Sequence, residues 1–215
     1  MEKICVISFS GRSGGNCASI AREIENFWLG KGVVSVFDFS TFEIAPCGRC
    51  SCECFKKRES CPYFSDSEFD ICDTITNSGL TYFVVPNYCD YPCANFFIFN
   101  ERSQCYFQRR HELLERYLSI KKKFIVVSNT GRDNFTAAFR YHVQDGYEPD
   151  VLFLAAKKFG RVSIHGNLMD SDRAQEAVRK FIVPQCQIQT ERPGSGHCPA
   201  ADISATKISG GRQWS

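Results

Sequence analysis

The chain has 215 residues, with 26 Lys and Arg against 24 Asp and Glu, and its formal net charge is +2 at pH 7. This length, with 43% apolar residues, suits one globular α/β or α+β domain and excludes a disordered, collagen-like or coiled-coil chain. Because both signs of charge are mixed along the sequence, we expect neither nucleic acid nor an anionic membrane as a partner.

The N-terminal segment and the cysteine content indicate a cytoplasmic protein. The apolar run at residues 4–7 is too short for the core of a signal peptide, and no run approaches the roughly 20 residues that span a bilayer. In a reducing cytosol, 13 cysteines indicate metal ligands, reactive thiols or small core residues rather than a disulfide framework.

Strand and helix patterns alternate along most of the chain. Apolar, β-branched runs predict five strands, at residues 3–9, 33–39, 80–85, 124–128 and 151–155. Helical spacing predicts three helices. The first begins at Asn16, the second follows a capping box of Ser65 and Glu68, and the third begins after Ser171. The lysines at 121–123 are expected to form a solvated lead-in to the fourth strand. The alternation predicts an α/β fold with a three-layer, doubly wound, five-stranded parallel sheet.

The last part of the chain departs from this pattern. Residues 183–215 contain scattered Pro, Gly and polar residues without helical or strand periodicity. We therefore divide the chain into a domain at residues 1–182 and a non-core C-terminal tail at residues 183–215.

The loop after the first strand has the composition of a phosphate site. Residues 8–16 read S-F-S-G-R-S-G-G-N where a strand passes to a helix N-terminus, whose unpaired N–H groups and dipole favour a phosphate. The loop lacks both the lysine of a triphosphate site and the glycine fingerprint of a dinucleotide site, so a phosphate monoester fits better. A Gly-rich turn without a ligand is the alternative.

Two further polar turns are expected at the same edge of the sheet. Residues 86–91, P-N-Y-C-D-Y, follow the third strand, and residues 129–132, N-T-G-R, follow the fourth. Ligands of doubly wound sheets bind beyond the carboxyl ends of the strands, so the three turns predict a site for a planar cofactor with a phosphate tail. The alternative is that Tyr88 and Tyr91 are ordinary surface residues that contact no cofactor.

These motifs resemble the flavodoxin-like NAD(P)H-dependent FMN reductase family, and in particular its iron–sulfur flavoprotein branch. Residues 8–17 resemble the family's phosphate loop G-S-P-R-x-x-G-N-T, and residues 86–88 resemble its ring-binding P-x-Y loop. The cysteine segment from Pro46 to Cys61 resembles the family's P-C-x-x-C-x-x-C segment. The resemblance covers residues 1 to about 182 and departs from the family at Cys17, where Thr or Ser is usual.

The resemblance implies a flavodoxin-like fold and an FMN-dependent oxidoreductase. NAD(P)H or a reduced carrier would donate electrons, a small molecule or a protein would accept them, and the chain would form a homodimer or homotetramer. The residues expected to bind FMN are Ser8, Ser10, Arg12, Gly15, Asn16, Cys17, Pro86, Asn87, Tyr88, Cys89, Asp90, Asn129, Thr130 and Gly131. No general acid or base stands out. The alternatives are a cluster-free quinone, nitro or azo reductase, a flavodoxin-like electron carrier and a non-catalytic, zinc-stabilised α/β module.

Five cysteines lie close together at positions 47, 50, 52, 54 and 61. Closely spaced thiolates can surround one soft metal centre, and the flanking Lys and Arg residues would offset the charge of a thiolate-bound cluster. The family resemblance implies a 4Fe–4S cluster on Cys47, Cys50, Cys54 and Cys61, with Cys54 preferred to Cys52. A structural zinc site and a metal-free segment with buried thiols are the alternatives.

Removal of the tail is expected to leave the domain intact. A chain that ends at Pro184 should keep its flavin and a melting temperature within a few degrees, because the tail buries too little apolar area to offset its ordering entropy. Thermal melts and flavin retention of both chains test this. Loss of FMN or dissociation of an oligomer after truncation would instead make the tail an assembly arm.

Overall fold

The computed structural model describes residues 1–129 and 134–183, apart from the side chain at position 49. Thr130, Gly131 and the tail beyond Val183 lie outside the described residues, so the expectations about them stay predictions. Among the described residues, no helix is long and apolar enough to cross a membrane.

A parallel sheet forms the middle layer. Its strands are β1 (Glu2–Ser8), β2 (Gly32–Asp38), β3 (Leu80–Tyr88), β4 (Tyr91–Pro92), β5 (Lys121–Ser128) and β6 (Asp150–Ala155). Five of them lie parallel in the order β2-β1-β3-β5-β6, which is the flavodoxin-like order with its switch point between β1 and β3. The short β4 pairs antiparallel with the end of β3, so the sheet has six strands rather than the expected five. The predicted fold class is confirmed.

Helices cover both faces of the sheet. They are α1 (Asn16–Trp28), α2 (Glu68–Thr76), α3 (Ala94–Phe107), α4 (His111–Ser119), α5 (Phe135–Phe139) and α6 (Asp172–Ile182). Alternate residues of β1 enter two separate cores: Ile4 and Val6 pack with α1 and α6, whereas Cys5 and Ile7 pack in the core that contains residues of α2 to α5. This alternation of side chains across a strand buried on both faces produces the three layers.

The sequence patterns did not predict α3, α4 or α5, and α3 is the longest of the three. α3 begins at Ala94 and is rich in aromatic residues and asparagine, which have lower helix propensity than Ala or Leu. Its Phe96 and Phe99 are fully buried, whereas Phe97 is exposed, so the apolar residues do not form one clear helical stripe. Tertiary packing therefore determines this helix more than local preference does.

The expected capping box at the start of α2 does not form. Ser67 precedes the helix, and the Glu68 amide donates instead to Asp66 Oδ1 at 3.1 Å. The Glu68 side chain is fully buried and accepts a hydrogen bond from Cys72 Sγ at 3.4 Å. Burial raises the pKa of this carboxyl group well above its usual range. Glu68 is therefore a core residue rather than a cap.

The lysines at the start of β5 are also placed differently from the expectation. Lys122 and Lys123 belong to the strand and are 3% and 2% exposed, so they do not form a solvated lead-in. The Lys122 ammonium donates to the carbonyl oxygens of Tyr117 and Ile120, and burial lowers its pKa to about 7. Carbonyl groups at the end of α4 therefore replace the water that the Lys122 ammonium group loses.

Arg102 of α3 holds the long connection between β2 and α2. Its fully buried guanidinium donates to the two carboxylate oxygens of Asp66 at 2.6 and 3.2 Å. It also donates to the carbonyl oxygens of Ala45 at 2.7 Å and Tyr63 at 3.3 Å. The connection contains only short 3-10 turns, at Cys47–Arg49, Glu53–Phe55 and Arg58–Ser60. One cation therefore fixes both ends of this irregular segment against α3.

A buried histidine lies among the aromatic rings on the same face. His142 Nδ1 forms a hydrogen bond of 2.7 Å with the Tyr117 hydroxyl group, and the ring lies 5.2 Å from that of Phe96 and 5.3 Å from that of Phe83. Burial, with a smaller contribution from Lys122, lowers the His142 pKa to about 3. The folded protein therefore keeps this imidazole neutral.

His142 is expected to make stability depend on pH. Its folded pKa of about 3 lies below the ordinary value near 6.5, so the unfolded chain binds the additional proton and stability is lost as pH falls below 6.5. The double variant His142→Phe/Tyr117→Phe should lose about 2 kcal/mol less stability than the wild type between pH 7 and pH 5. Urea unfolding at both pH values measures this difference.

The single variant Tyr117→Phe is the matched control. It retains the histidine and should show the full loss of stability on acidification. Equal losses in the wild type and the double variant would contradict the assignment.

Candidate functional site

The carboxyl ends of β1, β3 and β5 meet at one edge of the sheet. Ser8 at the end of β1 is in register with Val84 of β3, and Pro86 of β3 is in register with Val127 of β5. Asn87 Nδ2 donates to Ser128 Oγ at 3.0 Å, and this hydrogen bond joins the end of β3 to the end of β5. The carboxyl ends of these strands therefore lie at one edge of the sheet, and of the predicted turn at residues 129–132 the structure describes Asn129.

The loop after β1 presents polar groups toward the start of α1. The hydroxyl group of Ser8 is fully buried and has no hydrogen-bond partner among the described residues. Because Ile4 and Val6 pack with α1, the alternation of side chains places Ser8 on the face that α1 covers. The N-cap residue of α1 is Gly15, so no side chain caps the helix. Gly14 has a φ of +65°, and a Cβ atom placed there would meet open space. An uncapped helix N-terminus beside an unpaired hydroxyl group is suited to an anion.

The start of α3 supports this loop from the opposite face of the sheet. Cys93 Sγ donates to the carbonyl oxygen of Phe9 at 3.3 Å, and Asn95 Nδ2 donates to the same oxygen at 3.0 Å. The Ser10 hydroxyl group accepts a hydrogen bond of 3.2 Å from the Arg12 amide. Cys93 and Asn95 were not among the predicted site residues, because the sequence patterns did not predict the helix whose start positions them.

Residues 163–168, here called the strap, cover the loop at residues 8–16. We call this loop the phosphate loop after the prediction from its sequence. Asn16 Nδ2 donates to the carbonyl oxygen of Ser163 at 2.7 Å, and Asn16 Oδ1 accepts from the Leu168 amide at 2.8 Å. Arg12 Nη2 donates to the carbonyl oxygen of Ile164 at 2.8 Å. The Ser163 amide donates to Asn129 Oδ1 at 2.8 Å. The side chains of Arg12, Asn16 and Asn129, which were expected to contact the cofactor, are therefore used to hold the strap.

Cys17 lies in the first turn of α1 and is 2% exposed. Burial raises the pKa of its thiol, with smaller contributions in the same direction from Cys93 and Asp38 and an opposing one from Arg12. The thiol therefore stays protonated and adds no negative charge to the phosphate loop.

The loop after β3 is a tight hairpin with exposed aromatic side chains. Tyr88 and Tyr91 pair across it and are 50% and 57% exposed. Cys89 and Asp90 have φ values of +54° and +67°, and the Asp90 amide donates to Asn87 Oδ1 at 2.9 Å. Two residues in the left-handed region, fixed by a side-chain hydrogen bond, form a stiff turn beside the phosphate loop.

A cavity of about 560 Å³ lies between the phosphate loop, the start of the β2–α2 connection and α3. Its lining residues are Gly11, Phe39, Ser40, Thr41, Phe42, Glu43, Ile44, Pro46, Asn95 and Ile98. Gly11 and Asn95 belong also to the phosphate-loop contacts, since a Cβ atom at Gly11 would lie 3.7 Å from Asn95 Nδ2. The cavity therefore adjoins the candidate cofactor site.

The cysteine segment adopts a different arrangement from the one that the family resemblance implies. Cys54 and Cys61 are buried, whereas Cys50 is partly exposed. Cys47 Sγ lies 3.9 Å from the Sγ of Cys105 in α3, a residue that the sequence analysis did not include. Among residues 1–129 and 134–183, no group of three or more His, Cys, Asp or Glu side chains is arranged to hold a metal ion. These thiols therefore do not fit the 4Fe–4S ligand set, and we derive no step through a cluster.

No protein-family model and no curated protein matches the sequence. Solved structures do match its fold. The Trp repressor binding protein of Bacillus subtilis aligns with a TM-score of 0.50 and 15% identity, over 84% of this chain and 97% of that one. The Smu.1420 protein of Streptococcus mutans aligns with a TM-score of 0.53 and 12% identity, over 84% of this chain and 96% of that one. A flavone reductase aligns with a TM-score of 0.50 and 16% identity, over 84% of this chain and 62% of its own. The chain shares their fold.

The strap is expected to depend on both hydrogen bonds of Asn16. Asn16→Leu removes a donor and an acceptor and leaves the Leu168 amide and the Ser163 carbonyl unpaired, at a cost of about 1–3 kcal/mol. Asn16→Asp keeps the acceptor for the Leu168 amide and should lose less stability at neutral pH. Chemical denaturation measures both losses, and faster hydrogen exchange at the Leu168 amide in Asn16→Leu would locate the effect. Unchanged exchange there would contradict the role of Asn16.

Proposed function

We propose that the chain is an FMN-dependent oxidoreductase. In this proposal FMN binds at the carboxyl edge of the sheet, takes electrons from NAD(P)H or a reduced carrier, and passes them to a small-molecule or protein acceptor. The observation that carries the proposal is the buried Ser8 hydroxyl group, which has no hydrogen-bond partner in the described part of the chain and lies beside the N-terminus of α1. The same fold in a flavone reductase is consistent with it.

The phosphate of FMN would occupy the loop between Ser8 and α1. The hydroxyl group of Ser8 would donate to a phosphate oxygen, and the backbone amides at the start of α1 would provide further donors. Arg12 would add positive charge to the rim while its guanidinium also contacts the Ile164 carbonyl. Asn16 would act indirectly, because its side chain holds the strap over the loop.

The flavin ring would lie against the hairpin after β3. The exposed rings of Tyr88 and Tyr91 offer an aromatic surface, and the stiff turn at Cys89 and Asp90 keeps backbone groups at a fixed position beside it. The adjoining cavity would give a second small molecule access to the cofactor.

Bound FMN would supply the redox chemistry, since it can accept a hydride and release electrons. The chain would supply binding and orientation: the phosphate loop would fix one end of the cofactor, and the hairpin would fix the other. Cys17 would remain neutral in the first turn of α1 and avoid repulsion of the phosphate. The strap would exclude water from the phosphate loop.

The 4Fe–4S cluster is not part of this proposal. Among the described residues, its expected ligands form no group that is arranged to hold a metal ion, and the thiol of Cys47 contacts that of Cys105. The cluster-free reductase is therefore the form that we propose. Purified protein titrated with FMN, and then assayed for NAD(P)H oxidation with a quinone, tests the whole proposal. Absence of FMN binding would reject it, and binding without turnover would favour an electron carrier.

Ser8 provides the most specific test of the phosphate site. In the chain without FMN, Ser8→Ala removes a buried hydroxyl group that has no partner within residues 1–129 and 134–183, so the melting temperature should stay the same or rise slightly. With FMN, the variant should lose a hydrogen bond to a charged group, and the dissociation constant should rise about 10-fold or more. Flavin fluorescence titration and thermal melts measure the two effects.

Ser10→Ala is the matched control, because the Ser10 hydroxyl group already accepts from the Arg12 amide within the loop. It should change FMN affinity less than Ser8→Ala does. Equal FMN affinity in Ser8→Ala and the wild type would remove this hydroxyl group from the site.

A further inference from the structure

The thiols of Cys47 and Cys105 lie in contact although 58 residues separate them in the sequence. We propose that these two cysteines are a modification site, at which a small-molecule disulfide oxidises them to an intramolecular disulfide. The proposal does not require FMN to bind, and the two cysteines lie beside the cavity that adjoins the candidate cofactor site.

The pairing differs from the one that the sequence pattern favours. Cys47 and Cys50 form a C-x-x-C pattern, which is typical of redox pairs in cytosolic proteins. In the structure the thiol contact of Cys47 is instead with Cys105 of α3, at a distance of 3.9 Å between the sulfur atoms. Formation of the bond requires an approach to about 2.05 Å, so one side chain has to rotate toward the other.

The protein holds the two segments in this arrangement. Arg102 lies three residues before Cys105 in α3, and its guanidinium binds the carbonyl oxygen of Ala45, two residues before Cys47. The contact between the thiols is therefore next to a buried hydrogen bond that joins the same two segments. Pro46, which directly precedes Cys47, and Ile98, which belongs to the same helix as Cys105, both line the cavity. A disulfide would link these two segments covalently.

The exposure of the two thiols determines which of them reacts first with the small disulfide. Cys47 is partly exposed and Cys105 is 4% exposed, so the oxidant reaches Cys47 first. The Cys47 thiolate attacks one sulfur atom of the small disulfide and releases one thiolate, which leaves a mixed disulfide on Cys47. The Cys105 thiolate then attacks Cys47 Sγ and releases the second thiolate. Two protein thiols lose two electrons, the small disulfide is reduced to two thiols, and the two protons pass from the protein thiols to the released thiolates.

The charges around the pair make the reaction slow at neutral pH. Burial raises the pKa of Cys47 to about 11, with contributions in the same direction from Glu101 and Cys50. The hydrogen bond with Cys105 and the positive charge of Arg102 oppose this rise. Burial also raises the pKa of Cys105, and the neighbouring thiols of Cys54, Cys47 and Cys61 add to it. Because the thiolate is the reactive form, the rate should increase about tenfold for each pH unit between 7 and 9.

The test uses the full chain after reduction. The protein is incubated with excess oxidised glutathione at pH 7.5 and 8.5, free thiols are alkylated, and the digested peptides are mapped by mass spectrometry. We expect a cross-linked peptide that joins Cys47 to Cys105, formed about tenfold faster at the higher pH. The oxidised chain should also melt several degrees higher than the reduced chain, because the bond closes a loop of 58 residues.

Two variants serve as matched controls. Cys50→Ala should still form the bond, and Cys105→Ala should not, while the melting temperature of each reduced variant shows that it folds. A bridge from Cys47 to Cys50, or from Cys105 to Cys54, would overturn the proposal. So would two free thiols at Cys47 and Cys105 after prolonged oxidation, or a metal ion that is recovered with the chain and lost on alkylation of these thiols.

Discussion

The buried ion pair between Arg102 and Asp66 determines how the region between β2 and α2 is ordered. Without it, that connection contains only single 3-10 turns, which have little stability of their own. The guanidinium also binds two backbone carbonyls, so its charge is neutralised and most of its donors are used. Breaking such a pair costs about 3–5 kcal/mol, because one charge is left buried and unpaired. The cavity wall and the cysteine segment both depend on this interaction.

The sequence patterns predict the parts of the fold in which local and tertiary preferences agree. The five long strands are continuous apolar runs, and α1 and α6 have clear apolar stripes, so their positions are recovered. α3 is not recovered, because Arg102 lies among its buried residues and Phe97 is exposed, so its sequence shows no continuous apolar stripe. The roles of Glu68 and Lys122 are wrong for a related reason. Polar residues in a sequence indicate exposure, and only the three-dimensional structure shows which of them find partners in the core.

The candidate site shows the same division between what sequence and structure provide. The topology rule places the carboxyl ends of β1, β3 and β5 at one edge of the sheet, and the structure agrees for these strands and for the two loops after β1 and β3. Side-chain roles within those loops could not be predicted, since they depend on distant residues. Asn16 is an example: its partners are 147 and 152 residues away along the chain. A sequence motif can therefore predict a ligand-binding loop without showing which of its side chains are bound to other parts of the chain.

The bonds between the strap and the phosphate loop have a consequence for the order in which the molecule is assembled. The loop follows β1 and leaves the ribosome before the strap, which follows β6. A nascent chain that stops before residue 163 has β1 and α1 but no partner for the Asn16 side chain. Contacts of such long sequence separation are slow to form, because the entropy of loop closure has to be overcome first. The finished phosphate loop is therefore a late product of folding, although its own residues are made early.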